Sequence, residues 1–397
     1  MHKTKKISAL PALIAVLALI VCALVVGVFA DGGEAEEAVS RFYGTAWSLL
    51  PPVIAIVLAL ITKEVYSSLF VGILIFLVIL GAMVSLMNRA GGSAAFGRWA
   101  AKHIKTRVGA QLATIALGVL IFVDDYFNCL TVGSVMRPVT DKHNVSRAKL
   151  SCLIDATAAP VCIIAPISSW AAAVASYVED GQGLTLFIKS IPFNFYAWLT
   201  IIMMIGLAVM KIEYGPMAKF EKNAQAGDLF SGKNPYAGME DDVPEGKGKV
   251  IDLVLPIVVL VFCCVMGMLY SGGFFTGTSW GTFGILIPIT LSVFPLTDPH
   301  GVVCVSACMA GAVCGDHCSP ISDTTIMASA GAQCDHVNHV STQLPYAITC
   351  AAVSCVSYIV AGFVPNACIA LPVAILLMLG TLVVIKLINK GRVSNDA

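Results

Sequence analysis

Charged residues are scarce in this sequence, since Asp, Glu, Lys and Arg make up only 12% of its 397 residues. A soluble globular protein usually carries about a quarter of its residues charged. Because 58% of the chain is apolar, too little polar surface remains to cover a water-soluble particle. The formal net charge is zero, so the chain lacks the basic excess that attracts nucleic acid. These values exclude a soluble enzyme, a nucleic-acid binder and a disordered scaffold.

The sequence also lacks the glycine-rich phosphate loop of the Walker type, so no ATP-driven step is expected. Fourteen cysteines are present, but most of them sit in apolar runs, where a small side chain packs helices closely. A disulfide framework is therefore not predicted. One cluster has residue types that suit zinc, although small-residue packing beside an ion site is the favoured interpretation. Its members are Cys314, His317, Cys318, Cys334, His336 and His339.

Apolar runs that approach the roughly 20 residues of a bilayer helix recur along the chain, which predicts an all-α polytopic membrane protein. Lysines near the N-terminus place that end in the cytoplasm, and residues 7–29 are predicted as an uncleaved first span. The chain is interpreted as two membrane halves, residues 1–210 and 250–397. Residues 211–249 are polar and mixed in charge, which indicates a cytoplasmic linker.

Basic stretches at 89–107 and 137–149 flank residues 108–136, and both are predicted to be cytoplasmic loops. A single crossing cannot join two loops on the same side of a membrane. Residues 108–136 are therefore predicted to enter the membrane, break and return as a re-entrant hairpin, with residues 124–128 near the tip. The alternative is a single span with one of the two basic loops outside.

The second half repeats a pattern of the first half. A Thr-x-Gly triplet and a later proline precede Asp155, and the same series precedes Asp316. Segments rich in Pro and hydroxyl residues lie at 157–169 and 315–325 and are predicted to be broken helices. Paired broken segments are typical of transporters built from two inverted repeats.

Five carboxylates lie within the predicted membrane segments, where ionisable groups are costly and mark functional sites. Together with nearby hydroxyls, such hard oxygen ligands suit Na⁺ or Li⁺. A carboxylate there can hold a proton or a cation but seldom both, which is enough to couple their exchange. The alternative for any one of them is a helix cap or an ion pair. These carboxylates are Asp124, Asp125, Asp155, Asp316 and Asp323, and Na⁺ is predicted at a subset of them.

Four segments resemble the NhaC-type Na⁺/H⁺ antiporter family, namely residues 124–128, 157–170, 277–284 and 315–325. The resemblance implies a multi-pass secondary transporter, not an enzyme, in a bacterial or archaeal plasma (inner) membrane. Its partners would be the lipid bilayer, Na⁺ or Li⁺, and H⁺, with no cofactor beyond the transported ions. A homodimer is compatible with this interpretation.

The resemblance also implies a set of residues for the ion site without assigning individual roles. Carried over by motif, they are Asp124, Asp125, Asn128, Asp155, Thr157, Thr278, Ser279, Asp316, Ser319, Ser322, Asp323 and Thr324. Neighbouring polar residues add Thr131, Ser169, Thr282 and His317. His317 is interpreted either as a proton relay or as a group that hydrogen-bonds a carbonyl. His336 and His339 lie in a polar stretch and are predicted to be surface residues.

The sequence departs from the family pattern at two places, after residue 74 and after residue 275, where relatives carry further membrane segments. The charges of the loops independently indicate either another crossing at the first place or the opposite orientation of the chain. The chain is therefore predicted to lack two internal segments of the family.

Two other functions stay open at this point. One is a cation-coupled transporter of an amino acid or organic acid, for which Arg137 is the evident anion partner. The other is a membrane enzyme or scaffold that uses the Cys/His cluster.

Overall fold

A computed structural model describes residues 91–178, 182–232, 234–236, 249–252, 255, 258, 280–295 and 298–395. The chain divides into two units, Met1–Ile79 and Leu80–Ala397, and all described residues belong to the second. The predicted first span lies outside the described residues, as do Thr278 and Ser279 of the predicted ion site.

Regular structure in the described residues is helical throughout, without a strand. The first half contains α1 Gly92–His103, α2 Arg107–Leu120, α3 Asp125–Lys142, α4 Arg147–Asp155, α5 Ala159–Cys162, α6 Ser169–Ser176, α7 Gly183–Ser190 and α8 Phe195–Met210. A 3₁₀ turn, Ile191–Phe193, joins α7 to α8. The rest contains α9 Pro216–Gln225, α10 Trp280–Val293, α11 Pro299–Cys318, α12 Asp323–Ala332, α13 His336–Phe363 and α14 Ala367–Asn395.

Three of these helices are long and apolar enough to cross a membrane: α11, α13 and the part of α14 at Ala367–Asn389. A fourth candidate is the pair formed by Gly183–Phe193 and Phe195–Met210, which bends by 44° at its break. The prediction of an all-α polytopic membrane protein is confirmed at this level.

Residues 108–136 form two helices, α2 and α3, separated by a break at 121–124. Asp124 caps α3, because its side chain accepts a hydrogen bond from the backbone N–H of Phe127 at 2.8 Å. The two helices pack against each other, and Thr106 and His143 at their outer ends line one cavity. The break therefore lies at the opposite end of the pair, beside the helices of the second half.

Two further breaks lie inside the segments that the sequence predicts to be broken. Helix α4 ends at Asp155, and the chain turns at 156–158 before the short α5. Helix α11 ends at Cys318, and α12 begins four residues beyond Ser319 at Asp323. Freed backbone groups at such breaks are tolerated at membrane depth only where protein or water satisfies them.

The basic stretch at 137–149 contains the end of α3, a short connection and the start of α4. Arg147 and Lys149 are buried in the first turn of α4, where positive charge opposes the helix dipole. Acidic partners offset this, since Arg147 Nη2 lies 2.8 Å from Asp141 Oδ2 and Lys149 Nζ lies 3.0 Å from Glu213 Oε2. These ion pairs were not predicted, since Glu213 is 64 residues away from Lys149 in the chain.

Within the predicted linker, α9 packs against α4 and α13. Glu221 of α9 is buried, forms an ion pair with Arg107 and accepts a hydrogen bond from the backbone N–H of Ser146 at 2.8 Å. Burial raises the pKa of Glu221 above its ordinary value, and the Arg107 contact opposes that shift. Helix α9 of the linker is thus bound to the first half at the start of α2, through Arg107, and at the start of α4, through Ser146.

Candidate ion site

Asp155, at the last position of α4, is a carboxylate with no exposed surface. Its Oδ2 accepts hydrogen bonds from Thr325 Oγ1 at 3.2 Å and Gln343 Nε2 at 2.6 Å, and His339 Nε2 lies 3.3 Å away. Its Oδ1 has no hydrogen-bond partner among the described residues. One oxygen is therefore fixed by α12 and α13, while the other has lone pairs available for a cation or a proton.

His317 lies against the same carboxylate and is 2% exposed. Its Nε2 is 3.1 Å from the backbone oxygen of Asp155 and 4.0 Å from Oδ1. Because a carbonyl only accepts, Nε2 carries a proton, and Nδ1 faces the Tyr196 hydroxyl at 3.1 Å. The predicted carbonyl contact is present, and the same ring is also beside the carboxylate.

Asp316 lies beside this cluster and is joined to it through Thr325. The Thr325 hydroxyl is 3.2 Å from Asp155 Oδ2 and 3.1 Å from the backbone oxygen of Asp316. Ser322 donates a hydrogen bond to Asp316 Oδ1 at 3.0 Å and lies 3.1 Å from the Thr324 hydroxyl. The break at 319–322 thus places hydroxyls around the second carboxylate.

The remaining carboxylates lie where the starts of α3 and α12 meet. Trp170 Nε1 donates to Asp125 Oδ2 at 3.0 Å, and Tyr126 donates to Asp323 Oδ2 at 2.5 Å. Both aspartates are in the first turn of a helix, where the dipole favours negative charge. Other acidic groups lie within electrostatic reach of Asp125, namely Asp124, Asp316 and Asp323.

Asp155 therefore lies apart from Asp124, Asp125 and Asp323, with Asp316 linked to both sides. In the described part of the chain, no three His, Cys, Asp or Glu side chains are placed to hold one metal ion. The predicted zinc cluster is not assembled either, since His317 and His339 both face Asp155. A cation here would need hydroxyl or carbonyl oxygens in addition to carboxylate.

The side-chain amide of Asn128 connects the break after α2 with the turn after α4. Its Nδ2 lies 2.7 Å from the Gly118 oxygen, 2.9 Å from the Ile121 oxygen and 3.0 Å from the Thr157 oxygen. These carbonyls are at the end of α2 and in the turn after α4. Asn128 Oδ1 has no partner among the described residues. The amide nitrogen therefore has a structural role, and only the oxygen is available to an ion.

Replacing Asn128 with Leu is expected to lower the free energy of unfolding by about 2 kcal/mol or more, because buried carbonyls lose their donor. Thermal unfolding in detergent, followed by intrinsic fluorescence, measures this loss. Asn223→Leu is the matched control, since Asn223 of α9 makes one part-buried side-chain hydrogen bond, to Ser231. Equal unfolding temperatures for the two variants would contradict the role assigned to Asn128.

Other predicted site residues have local partners or unused atoms. The Thr157 hydroxyl, in the turn after α4, donates to the Leu153 oxygen of that helix at 2.8 Å. Ser319 Oγ accepts from the Ile321 N–H at 3.3 Å. The hydroxyls of Thr131 and Ser169 are buried without a hydrogen-bond partner among the described residues. Thr282 lies in α10.

The prediction that His339 is a surface residue was wrong, because the residue is fully buried against Asp155. Gln343 and Tyr196, which also contact the site, were not predicted, and Thr325 was not assigned to it. A helical spacing was available as a signal: His339, Gln343, Tyr346 and Cys350 recur every three or four residues and share one buried face of α13. His336 is half-buried, with Nε2 2.6 Å from the Pro320 oxygen.

Comparisons with known proteins identify the family. The family described as "Na+/H+ antiporter family" matches residues 272–363, which include Asp316 and His339. An uncharacterized protein of Haemophilus influenzae is 30% identical to this chain, and the alignment covers 81% of the chain and 92% of that relative. The chain belongs to the Na⁺/H⁺ antiporter family. Membership of this family, together with its apolar helices, makes the chain a multi-pass membrane transporter.

Two other relatives match shorter stretches of this family member. A "Malate-2H(+)/Na(+)-lactate antiporter" of Bacillus subtilis is 29% identical over 110 residues, 27% of this chain and 22% of that protein. An "Uncharacterized Na(+)/H(+) antiporter" of Haemophilus influenzae is 37% identical over 87 residues, 22% of this chain and 19% of that protein. No solved structure matches the chain.

The long alignment also bears on the predicted missing segments. It extends over 484 positions, which is more than the 397 residues of this chain. The relative therefore has residues opposite gaps in this chain, in agreement with the prediction that internal segments of the family are absent here.

Proposed function

We propose that the chain is a secondary antiporter of the bacterial plasma membrane that exchanges Na⁺ or Li⁺ for H⁺. The observation that carries this proposal is the state of Asp155. It is a fully buried carboxylate at a helix break, with one oxygen lacking a hydrogen-bond partner among the described residues and with two histidines beside it. A buried carboxylate is costly unless its charge is fully balanced, so the oxygen without a partner is a place where a proton or a cation can bind.

Competition for Asp155 is the coupling step in this proposal. A proton on Oδ1 neutralises the carboxylate, and a small hard cation at the same oxygen does so without the proton. Each excludes the other, so a cation that enters from one side releases a proton. In this proposal Asp316, which shares the Thr325 hydroxyl with Asp155, contributes a ligand as the ion moves, and Asp124, Asp125 and Asp323 lie farther along its path.

Inverted repeats supply the movement in this proposal, and the packing of the helices supports them. Helix α3 packs against α4 and α12, and in the same way α10 packs against α11 and α6. In this comparison α3 corresponds to α10 and α4 corresponds to α11. The third helix of each set, α12 or α6, follows the break of the other half. We propose that α2 and α3 form the re-entrant hairpin of the first half and that one repeat moves against the other to expose Asp155 alternately to each side.

A second candidate function is exchange of an organic acid, favoured by the relative named as a malate and lactate antiporter. Arg137 lies on α3 and is buried, and it is the proposed anion partner in that case.

Everted membrane vesicles that contain the chain separate the two functions. With a preformed pH gradient, NaCl and LiCl are expected to dissipate the gradient and choline chloride is not. Uptake of labelled malate or lactate, driven by the same gradients, would favour the second candidate. A flat response to Na⁺ and Li⁺ in vesicles where the inserted chain is detected would contradict the proposal.

A further inference from the structure

A cavity of about 470 Å³ lies where the outer ends of α2 and α3 meet the end of α8. Its polar lining includes Arg107, Gln111, His143, Lys211 and Glu213. Its size is within the range of about 300–1,000 Å³ that is usual for small-molecule sites. None of the residues that contact Asp155 lines it, so it is separate from the candidate ion site.

Two of the charged groups at this cavity are already balanced. Arg107 forms an ion pair with Glu221, and Glu213 accepts from Lys149 at 3.0 Å and from the Tyr346 hydroxyl. Lys211 differs from them, because it has no ion-pair partner among the described residues. It is exposed at the end of α8, in a left-handed conformation with φ 56°, with its backbone N–H bonded to the Leu207 oxygen. The cavity therefore has one uncompensated cation, with the half-buried His143 in the same lining.

Two buried polar atoms of the lining residues also lack partners. Gln111 is 4% exposed, and its Oε1 has no hydrogen-bond partner among the described residues. Arg107 Nε is in the same situation. Buried polar groups in native proteins are nearly always paired, so each such group calls for a ligand or water. Gln111 Oε1 is a hydrogen-bond acceptor, and Arg107 Nε is a donor that belongs to a positively charged group.

We propose that this cavity binds a small carboxylate with an adjacent hydrogen-bond donor, that is, an α-hydroxy or α-amino acid. Its carboxylate is held by Lys211 and Arg107 Nε, since charge-assisted contacts to carboxylate are the strong ones. Its hydroxyl or ammonium group donates to Gln111 Oε1, the buried acceptor without a partner among the described residues. A carboxylate without a donor leaves Gln111 unpaired, so it binds more weakly.

The site is tested with the purified full-length chain in lipid nanodiscs and labelled L-malate, L-lactate and L-alanine. Saturable binding of at least one probe is expected, and its competition by the donor-free analogues succinate and propionate is expected to be weak. Lys211→Gln and Gln111→Leu are each expected to weaken binding about tenfold, the loss of roughly one good contact. Lys219→Gln removes an exposed lysine of α9 away from the cavity lining and is expected to change nothing.

Absence of saturable binding for all three probes would overturn the proposal, as would unchanged binding in both cavity variants. Uptake of the bound acid into vesicles identifies it as cargo, whereas binding without uptake identifies it as an effector, and either outcome supports the site. Na⁺-dependent proton exchange is measured on the same protein. Failure of binding with intact exchange therefore removes this inference and leaves the proposed function standing.

Discussion

Replacing Asp155 with Asn is expected to abolish Na⁺-dependent proton exchange, down to the level of vesicles without the protein. The amide has nearly the same shape, and its oxygen still accepts from Gln343 and Thr325, which now contact Oδ2. It cannot take up a proton at that position or balance a cation. The variant therefore removes the competition while it retains the packing of α4 against α12 and α13.

Dissipation of a pH gradient by NaCl in everted vesicles measures this loss, with the amount of inserted protein matched between variants. Asp228→Asn is the control, because it removes the same charge from an exposed turn after α9, where the side chain accepts only from local backbone N–H groups. Wild-type exchange by Asp155→Asn would strike Asp155 from the site. The coupling role would then pass to the group formed by Asp125, Asp323 and their neighbours.

Local features of the sequence predicted the breaks of the fold correctly. Residues 156–158 and 319–322 interrupt helices where Pro and hydroxyl residues cluster. Such residues act on the backbone beside them, through a missing N–H or a capping oxygen. Asp124 illustrates this, since the side chain that marks the predicted hairpin tip is also the cap of α3.

Features that depend on distant partners were not predicted. Lys149 is predicted as part of a basic loop, but Glu213 draws it into the interior. His339 is in a polar stretch typical of a turn, yet the start of α13 carries it against Asp155, 184 residues away in the chain. The sequence selects the five carboxylates together, whereas their arrangement in space depends on how α3 and α12 cross.

Two glycines, Gly133 of α3 and Gly331 of α12, allow the backbones of these helices to approach each other closely where they cross. A Cβ atom on Gly331 of α12 would lie 2.3 Å from the backbone oxygen of Cys129. A Cβ atom on Gly133 of α3 would lie 2.3 Å from the carbonyl carbon of Gly331. Small residues allow membrane helices to approach in this way, because packing in lipid depends on direct backbone contact. Backbone atoms cannot rotate aside as a long side chain can.

Gly331→Ala is accordingly expected to force α3 and α12 apart, with a loss of about 1–3 kcal/mol in the free energy of unfolding. It is also expected to abolish exchange, since α12 carries Asp323, which contacts Tyr126, and Thr325, which contacts Asp155. Thermal unfolding and vesicle exchange are measured on the same preparations. Gly311→Ala is the control, because a Cβ there meets nothing within 4 Å and alanine favours a helix by up to about 1 kcal/mol. If Gly331→Ala unfolds at the wild-type temperature and still exchanges Na⁺, the two halves do not meet at this glycine, and the carboxylates of α3 and α12 are not held together by it.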